Sequence, residues 1–175
     1  VLANLTVTGG NSANYCGGFF STPGVNLRLE NVSVYDNQAA TVGGGMCASS
    51  GSATIQDSQI ISNTAGENGG GIYVGSAQLT LLDSSILSNT AGWDGGGIYV
   101  SLEEALVTYT GPGEIAYNNA CDGGGIYLYE GDADLQDVDL FSNDTADCGH
   151  GGAVHADQTD ARFSLVNGSI HSNHG

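Results

Sequence analysis

Residues 70–97 read GGIYVGSAQLTLLDSSILSNTAGWDGGG, and this stretch decides the fold. Three apolar runs, at 72–74, 79–82 and 86–87, are separated by turn-forming residues at Gly75-Ser76, Asp83-Ser84 and 89–95. No apolar period of 3.6 residues is sustained, so helices are not expected. Three short strands in one such unit cannot close a core alone. Stacked on like units, each strand pairs in parallel with its counterpart above and below, and a solenoid results.

The unit recurs along the chain. A Gly-Gly-apolar anchor falls at Gly17-Gly18-Phe19, Gly44-Gly45-Met46, Gly70-Gly71-Ile72, Gly96-Gly97-Ile98, Gly124-Gly125-Ile126 and Gly151-Gly152-Ala153. The second glycines are 27, 26, 26, 28 and 27 residues apart. An apolar-x-x-Asn anchor keeps step with them at Val34/Asn37, Ile60/Asn63, Ile86/Asn89, Ile115/Asn118, Leu140/Asn143 and Ile170/Asn173, with Asn11 as a degenerate seventh. Eight before each asparagine stand Leu29, Ile55, Leu81, Thr110, Leu135 and Leu165; six before stand Asn31, Asp57, Asp83, Pro112, Asp137 and Asn167. Column agreement of this kind implies an all-β fold. The expectation is a right-handed parallel β-helix of about six to seven coils of 26–28 residues, three short strands each, in a single domain over residues 1–175. The GPG at 111–113 is expected to push a local loop outward.

Composition narrows the function. The 175 residues carry 19 acids and only two basic side chains, Arg28 and Arg162, for a net charge of −17. Nucleic-acid binding through a basic patch and polybasic membrane docking are both excluded. No apolar run approaches the ~20 residues of a spanning helix, so membrane insertion is not expected. Glycine is abundant, 29 residues, without the every-third spacing of collagen. The chain opens on VLANLTV, without an initiating Met or a signal-peptide pattern, as a processed product or part of a longer chain does.

GGGIYV, with ISNTA at 61–65 and LSNTA at 87–91, is similar to the repeats of the chlamydial polymorphic outer-membrane proteins, which carry a GGAI-like tetrapeptide and a Phe-x-x-Asn motif. The resemblance extends over nearly the whole chain. This sequence departs by placing Ile, Leu or Val where that family has Phe, and no autotransporter barrel lies within the 175 residues. The resemblance implies adhesion and surface presentation, and brings no catalytic residues with it.

Asn37, Asn63, Asn89, Asn118, Asn143 and Asn173 are expected to form a structural ladder, each side-chain amide donating to the next at about 4.8 Å spacing. Strand alternation points Tyr73, Tyr99 and Tyr127 outward in one column, with Phe20 in phase, as a stacked ladder or a contact stripe. Asp94 and Asp122 recur at one corner. Oxygen-rich turns suit Ca²⁺, but no calcium-loop signature is present and solvated surface charge is the expected reading. No other metal or cofactor is expected. His155, His171 and His174 lack a ligand spacing that would select a metal together with His150. Gly149-His150-Gly151 resembles the GHG of polygalacturonases, which use such a scaffold, yet it falls on a repeat corner and the Arg-x-Lys element is missing, so catalysis is not expected.

Cys121 and Cys148 each lie four residues before a repeat glycine, and their matched phase predicts a disulfide. Cys16 and Cys47 lie in adjacent coils four positions out of phase, so their pairing requires a distorted corner. Asn4, Asn31 and Asn167 are candidate glycosylation sites; the sequon at Asn143 falls on the inward ladder. Neither end carries a cap, and VLANLTV matches the phase of residues 162–170. These features suggest an extracellular, cell-surface β-solenoid that assembles head to tail into a fibre or adhesin stalk. The alternative is a glycan-binding or glycan-cleaving domain using the Tyr face, with glycans or host-surface proteins as partners.

Overall fold

A computed structural model describes residues 1–145 and 149–175 of the chain. Strands account for the regular structure, and no helix occurs among the described residues. Pairing is parallel throughout and advances by one coil at each step: Ile72 lies between Met46 and Ile98, and Ile86 between Ile60 and Ile115. The fold is a β-solenoid of about six turns.

The coil from Ile72 shows how the sequence makes each bend. Ile72–Leu82 is one strand of 11 residues, so two of the expected short runs are joined. Gly75 permits this continuity, because a Cβ there would lie 2.6 Å from the Ser49 carbonyl oxygen. Asp83, at φ +46°, then turns the chain into Ser85–Leu87. Ser88, at φ +55°, turns it again and aims Asn89 inward. Left-handed backbone suits small polar residues, and Asn31, Asp57, Asp137 and Asn167 serve the first bend in other coils. The return path carries the Gly-Gly anchor. A Cβ on Gly71 would meet the Gly97 carbonyl at 2.6 Å and the Asn89 amide at 3.0 Å, so the ladder itself demands glycine here.

Alternation sends Ile72, Val74, Ala77, Leu79, Leu81 and Ile86 into one continuous core, all fully or almost fully buried. Each large aliphatic side chain so buried contributes about 1.5–3 kcal/mol.

The asparagine ladder forms over all six positions. The backbone N–H and Nδ2 of Asn63 both donate to Oδ1 of Asn89, at 2.9 and 3.0 Å. The second Nδ2 hydrogen of Asn63 goes back to the Val34 carbonyl, at 3.0 Å. The same pattern links Asn37 to Asn63, Asn89 to Asn118, Asn118 to Asn143, and Asn143 to Asn173. The seventh position belongs to Gly10 rather than Asn11. The Gly10 N–H donates to Asn37 Oδ1, while Asn11 pairs with Gln38 one residue beyond.

The 28-residue coil differs from expectation. Two residues enter as a turn between Val100 and Leu106, and one more is absorbed as a register shift between Thr110 and Gly113, where Leu106–Ala116 remains one strand instead of looping outward. Tyr109, not Thr110, therefore stands in the column of Leu81 and Leu135, and it is fully buried. Its hydroxyl donates to the Ser84 carbonyl, in space that a Cβ on Gly113 would occupy. Gly111, at φ +92°, makes the bend that Pro112 cannot, since the proline ring fixes a negative φ.

Cys16 and Cys47 form a disulfide across a Cα–Cα distance of 5.5 Å. The distorted corner this requires is present, for Cys16 adopts φ +56°. No free cysteine occurs among the described residues. The pairing expected for Cys121 falls on Cys148, which lies outside the described residues.

Replacing Asn89 with alanine would leave the Asn63 N–H and amide, the Ile60 carbonyl and Asn118 Oδ1 short of partners. The expected loss is about 3 kcal/mol or more. It should appear as a lower urea midpoint at unchanged slope. An unchanged midpoint would deny the ladder its role.

Candidate functional site

The outward column expected from the tyrosines is continuous in register. Phe20 pairs with Cys47, Cys47 with Tyr73, Tyr73 with Tyr99, Tyr99 with Tyr127, and Tyr127 with His155. The Tyr73 and Tyr99 rings stack at 5.6 Å between centroids and 9° between planes; Tyr99 and Tyr127 stack at 5.3 Å and 6°. His155 closes the stack edge-on, 5.1 Å from Tyr127. Offset stacks of this kind add about 0.5–1.5 kcal/mol per pair beyond area burial.

The stack is not an open stripe. Tyr99 and Tyr127 are only 8% and 7% exposed. The neighbouring corner closes on them: a Cβ on Gly95 would lie 2.9 Å from the Tyr99 Cα. Burial first, then the Asp94 carboxylate, pushes both phenols well above the ordinary tyrosine range. The accessible part of the expected interface thus narrows to Phe20, 57% exposed, and to partly buried Tyr73.

Beside the stack, a corner gathers acids and histidines. Asp94 bridges to Asp122 one coil on. Asp122 Oδ1 accepts the His150 N–H at 2.7 Å and lies 3.3 Å and 3.1 Å from Nδ1 of His150 and His155. Asp94 has its carboxyl raised above 3.8, by burial foremost and then by Asp122; His155 acts in the opposite direction. Among the described residues no three histidine, cysteine or acidic side chains are grouped to hold a metal ion. The other two histidines are elsewhere: His171 stacks on Phe141, and His174 contacts Asp144.

The concave surfaces are mostly polar. One of about 620 Å³ runs along the first bend past Asn4, Asn31, Asp57 and Asp83. The candidate glycosylation sites Asn4, Asn31 and Asn167 are exposed on this bend, whereas Asn143 is fully buried. Neither arginine is unpartnered: Arg28 pairs with Glu30 and Gln56, and Arg162 with Asp132 at 2.9 Å. One outward column escaped the sequence reading, in which Tyr35, Ile61, Leu87, Ala116, Phe141 and His171 follow one another. Its signal is present in the doubled apolar pairs Val34-Tyr35, Ile60-Ile61 and Ile86-Leu87, whose second member must point outward.

Residues 57–75 and 83–101 each match the Chlamydia polymorphic membrane protein repeat. The two matches are displaced by 26 residues, the offset at which Ile72 pairs with Ile98. The chain is a β-helix repeat protein resembling these repeats. No curated protein and no solved structure matches the chain. The matched windows hold the αL bend, the ladder asparagine and the Gly-Gly-Ile-Tyr return, so the likeness resides in the residues that build the coil.

Because its carboxyl is raised, ionisation of Asp94 opposes folding. Its contribution is fully present below the ordinary pKa and is lost as pH rises through the raised one. Asp94→Asn should therefore raise the melting temperature at neutral pH, with the gain vanishing in acid. Asn68 already occupies the equivalent corner one coil earlier and accepts the Asp94 N–H at 3.3 Å. Thermal melts across pH test this, and a less stable variant at neutral pH would refute it.

Proposed function

We propose that the chain is an extracellular structural β-solenoid, a rod segment of a cell-surface fibre or adhesin stalk that stacks head to tail. One observation carries the reading. Both edges of the described solenoid present rungs of the same columns: Val7 pairs with Val34 at one edge, and Ile170 with Leu140 at the other. These two residues are ends of one column, so a second copy placed on the last rung continues it in register. Leu2 and Ile170, on the first and last described rungs of inward columns, are both exposed. Unlike-ended contact does not close a dimer; it propagates. Lysines, the usual guard of exposed edges, are absent from the sequence.

The likeness to a membrane-protein repeat supports a place at the cell surface. The reading assigns no catalytic residue, cofactor or nucleic-acid partner to the chain. Glycan recognition across the Tyr column is disfavoured because the middle rings stack on each other and their edges are covered.

Sedimentation velocity and electron micrographs should show rods that lengthen with protein concentration. Ile170→Lys, which places a charge on an exposed rung, should shorten them. A monomer at every concentration would overturn the proposal. The acidic corners are read as solvated or histidine-paired, so a chelator should leave the melting temperature unchanged. A large drop would establish a structural Ca²⁺ instead.

A further inference from the structure

The ring column breaks at one rung. Between Phe20 and Tyr73 the in-register residue is Cys47, whose side chain is drawn into the disulfide with Cys16. A cleft of about 320 Å³ opens there, lined by Tyr15, Phe20, Tyr73, Val42, Ser49 and the disulfide. Phe20 and Tyr73 stand two strands apart, roughly 10 Å at the ~4.8 Å strand spacing. An occupant midway between them lies about 5 Å from each ring, inside the ~6 Å reach of a cation–π contact. Tyr15, 64% exposed, supplies a third ring.

We propose that this cleft binds a small quaternary ammonium cation of the choline type. Charge selects the occupant. No charged side chain lines the cleft, and both arginines are ion-paired elsewhere. The chain as a whole carries −17, so its field draws in a net cation and repels an anion. A sugar would need several polar partners, whereas the non-aromatic walls offer one side-chain hydroxyl, that of Ser49. A trimethylammonium group needs none; its methyl groups pack on ring faces and its charge meets their negative quadrupole. The cleft lies on the outer flank of the first coils, with Phe20 at the terminal rung of its column, and its occupation by a cation is argued independently of the assembly proposed above.

Titration of the intact chain with choline, followed by ring-current shifts of the choline methyl resonances, tests it. A Kd of about 1 mM or tighter is expected. The neutral isostere 3,3-dimethylbutan-1-ol should bind about tenfold more weakly, and phosphocholine, with its added anion, more weakly than choline. Phe20→Leu and Tyr15→Leu alter exposed rings outside the stacked ladder and keep the site apolar; each should weaken choline by about threefold or more at an unchanged melting temperature. Absence of choline binding, equal binding of the neutral isostere, tighter binding of phosphocholine, or indifference to both substitutions would each overturn the proposal.

Discussion

Everything in this solenoid depends on one side-chain amide per coil. An interior ladder asparagine has four hydrogen-bonding valences, and all four are used. For Asn63, Nδ2 donates forward to Asn89 Oδ1 and backward to the Val34 carbonyl, while Oδ1 accepts two bonds from Asn37. A single residue therefore touches the coil before it and the coil after it. Neither Asp nor Gln could substitute: the carboxylate lacks donors, and the longer amide would overshoot the bend. Because an unsatisfied buried amide costs about as much as several methylenes gain, the ladder fixes the coil-to-coil register more firmly than the apolar rungs do. Aliphatic columns tolerate exchange of Val, Ile and Leu, as Val34, Ile60 and Leu140 do. The asparagine column accepts no such exchange over its six positions.

Two further requirements follow from the same bend. The residue before each ladder asparagine must enter left-handed backbone for the amide to point inward; Asp36, Ser62, Ser88, Tyr117, Ser142 and Ser172 all do so. The returning chain must then cross directly over the amide, and only glycine leaves space. In the last described coil Ala153 takes this position, in register with Gly125 and one residue on from the counted Gly152. The three elements, αL residue, asparagine and glycine pair, form one device read at three points in the sequence.

That device explains what could be read from the sequence. Columns defined by counting back from each asparagine hold wherever the coil has its ordinary length, and there Leu29, Ile55, Leu81, Leu135 and Leu165 pair as counted. Counting fails at Tyr109, because one residue is inserted between the bend and the asparagine. The register shift needed to accommodate it is a three-dimensional event with no fixed sequence position. Alternation correctly placed the tyrosines on the outer side of their strand, but it cannot tell outward from exposed. The corner carrying Gly95 and Asp94 folds back over Tyr99, and that coverage comes from a neighbouring segment, not from the strand itself. The Cys16–Cys47 bridge is legible in the sequence only as a pairing that needs a distorted corner, because it joins a corner to a strand and phase arguments compare like with like.

The distribution of acids completes the logic of a stacked chain. In a parallel solenoid an outward position repeats about every 4.8 Å, so a column of carboxylates would meet repulsion at every rung. The outward columns instead dilute their acids. Glu30 is followed by Gln56, Leu82, Thr110, Gln136 and Val166. Arg28, Thr54, Thr80 and Thr108 precede the single acid Asp134, and Ser164 follows it. At two stacked acid pairs, donors or counter-charges lie alongside: the Asp94–Asp122 pair is flanked by His150 and His155, and Asp139, beside Glu114, accepts the N–H and hydroxyl of Ser169. A charge of −17 is thus carried with few direct rung-to-rung conflicts. The same dilution leaves the ladder and the apolar columns free to set the register.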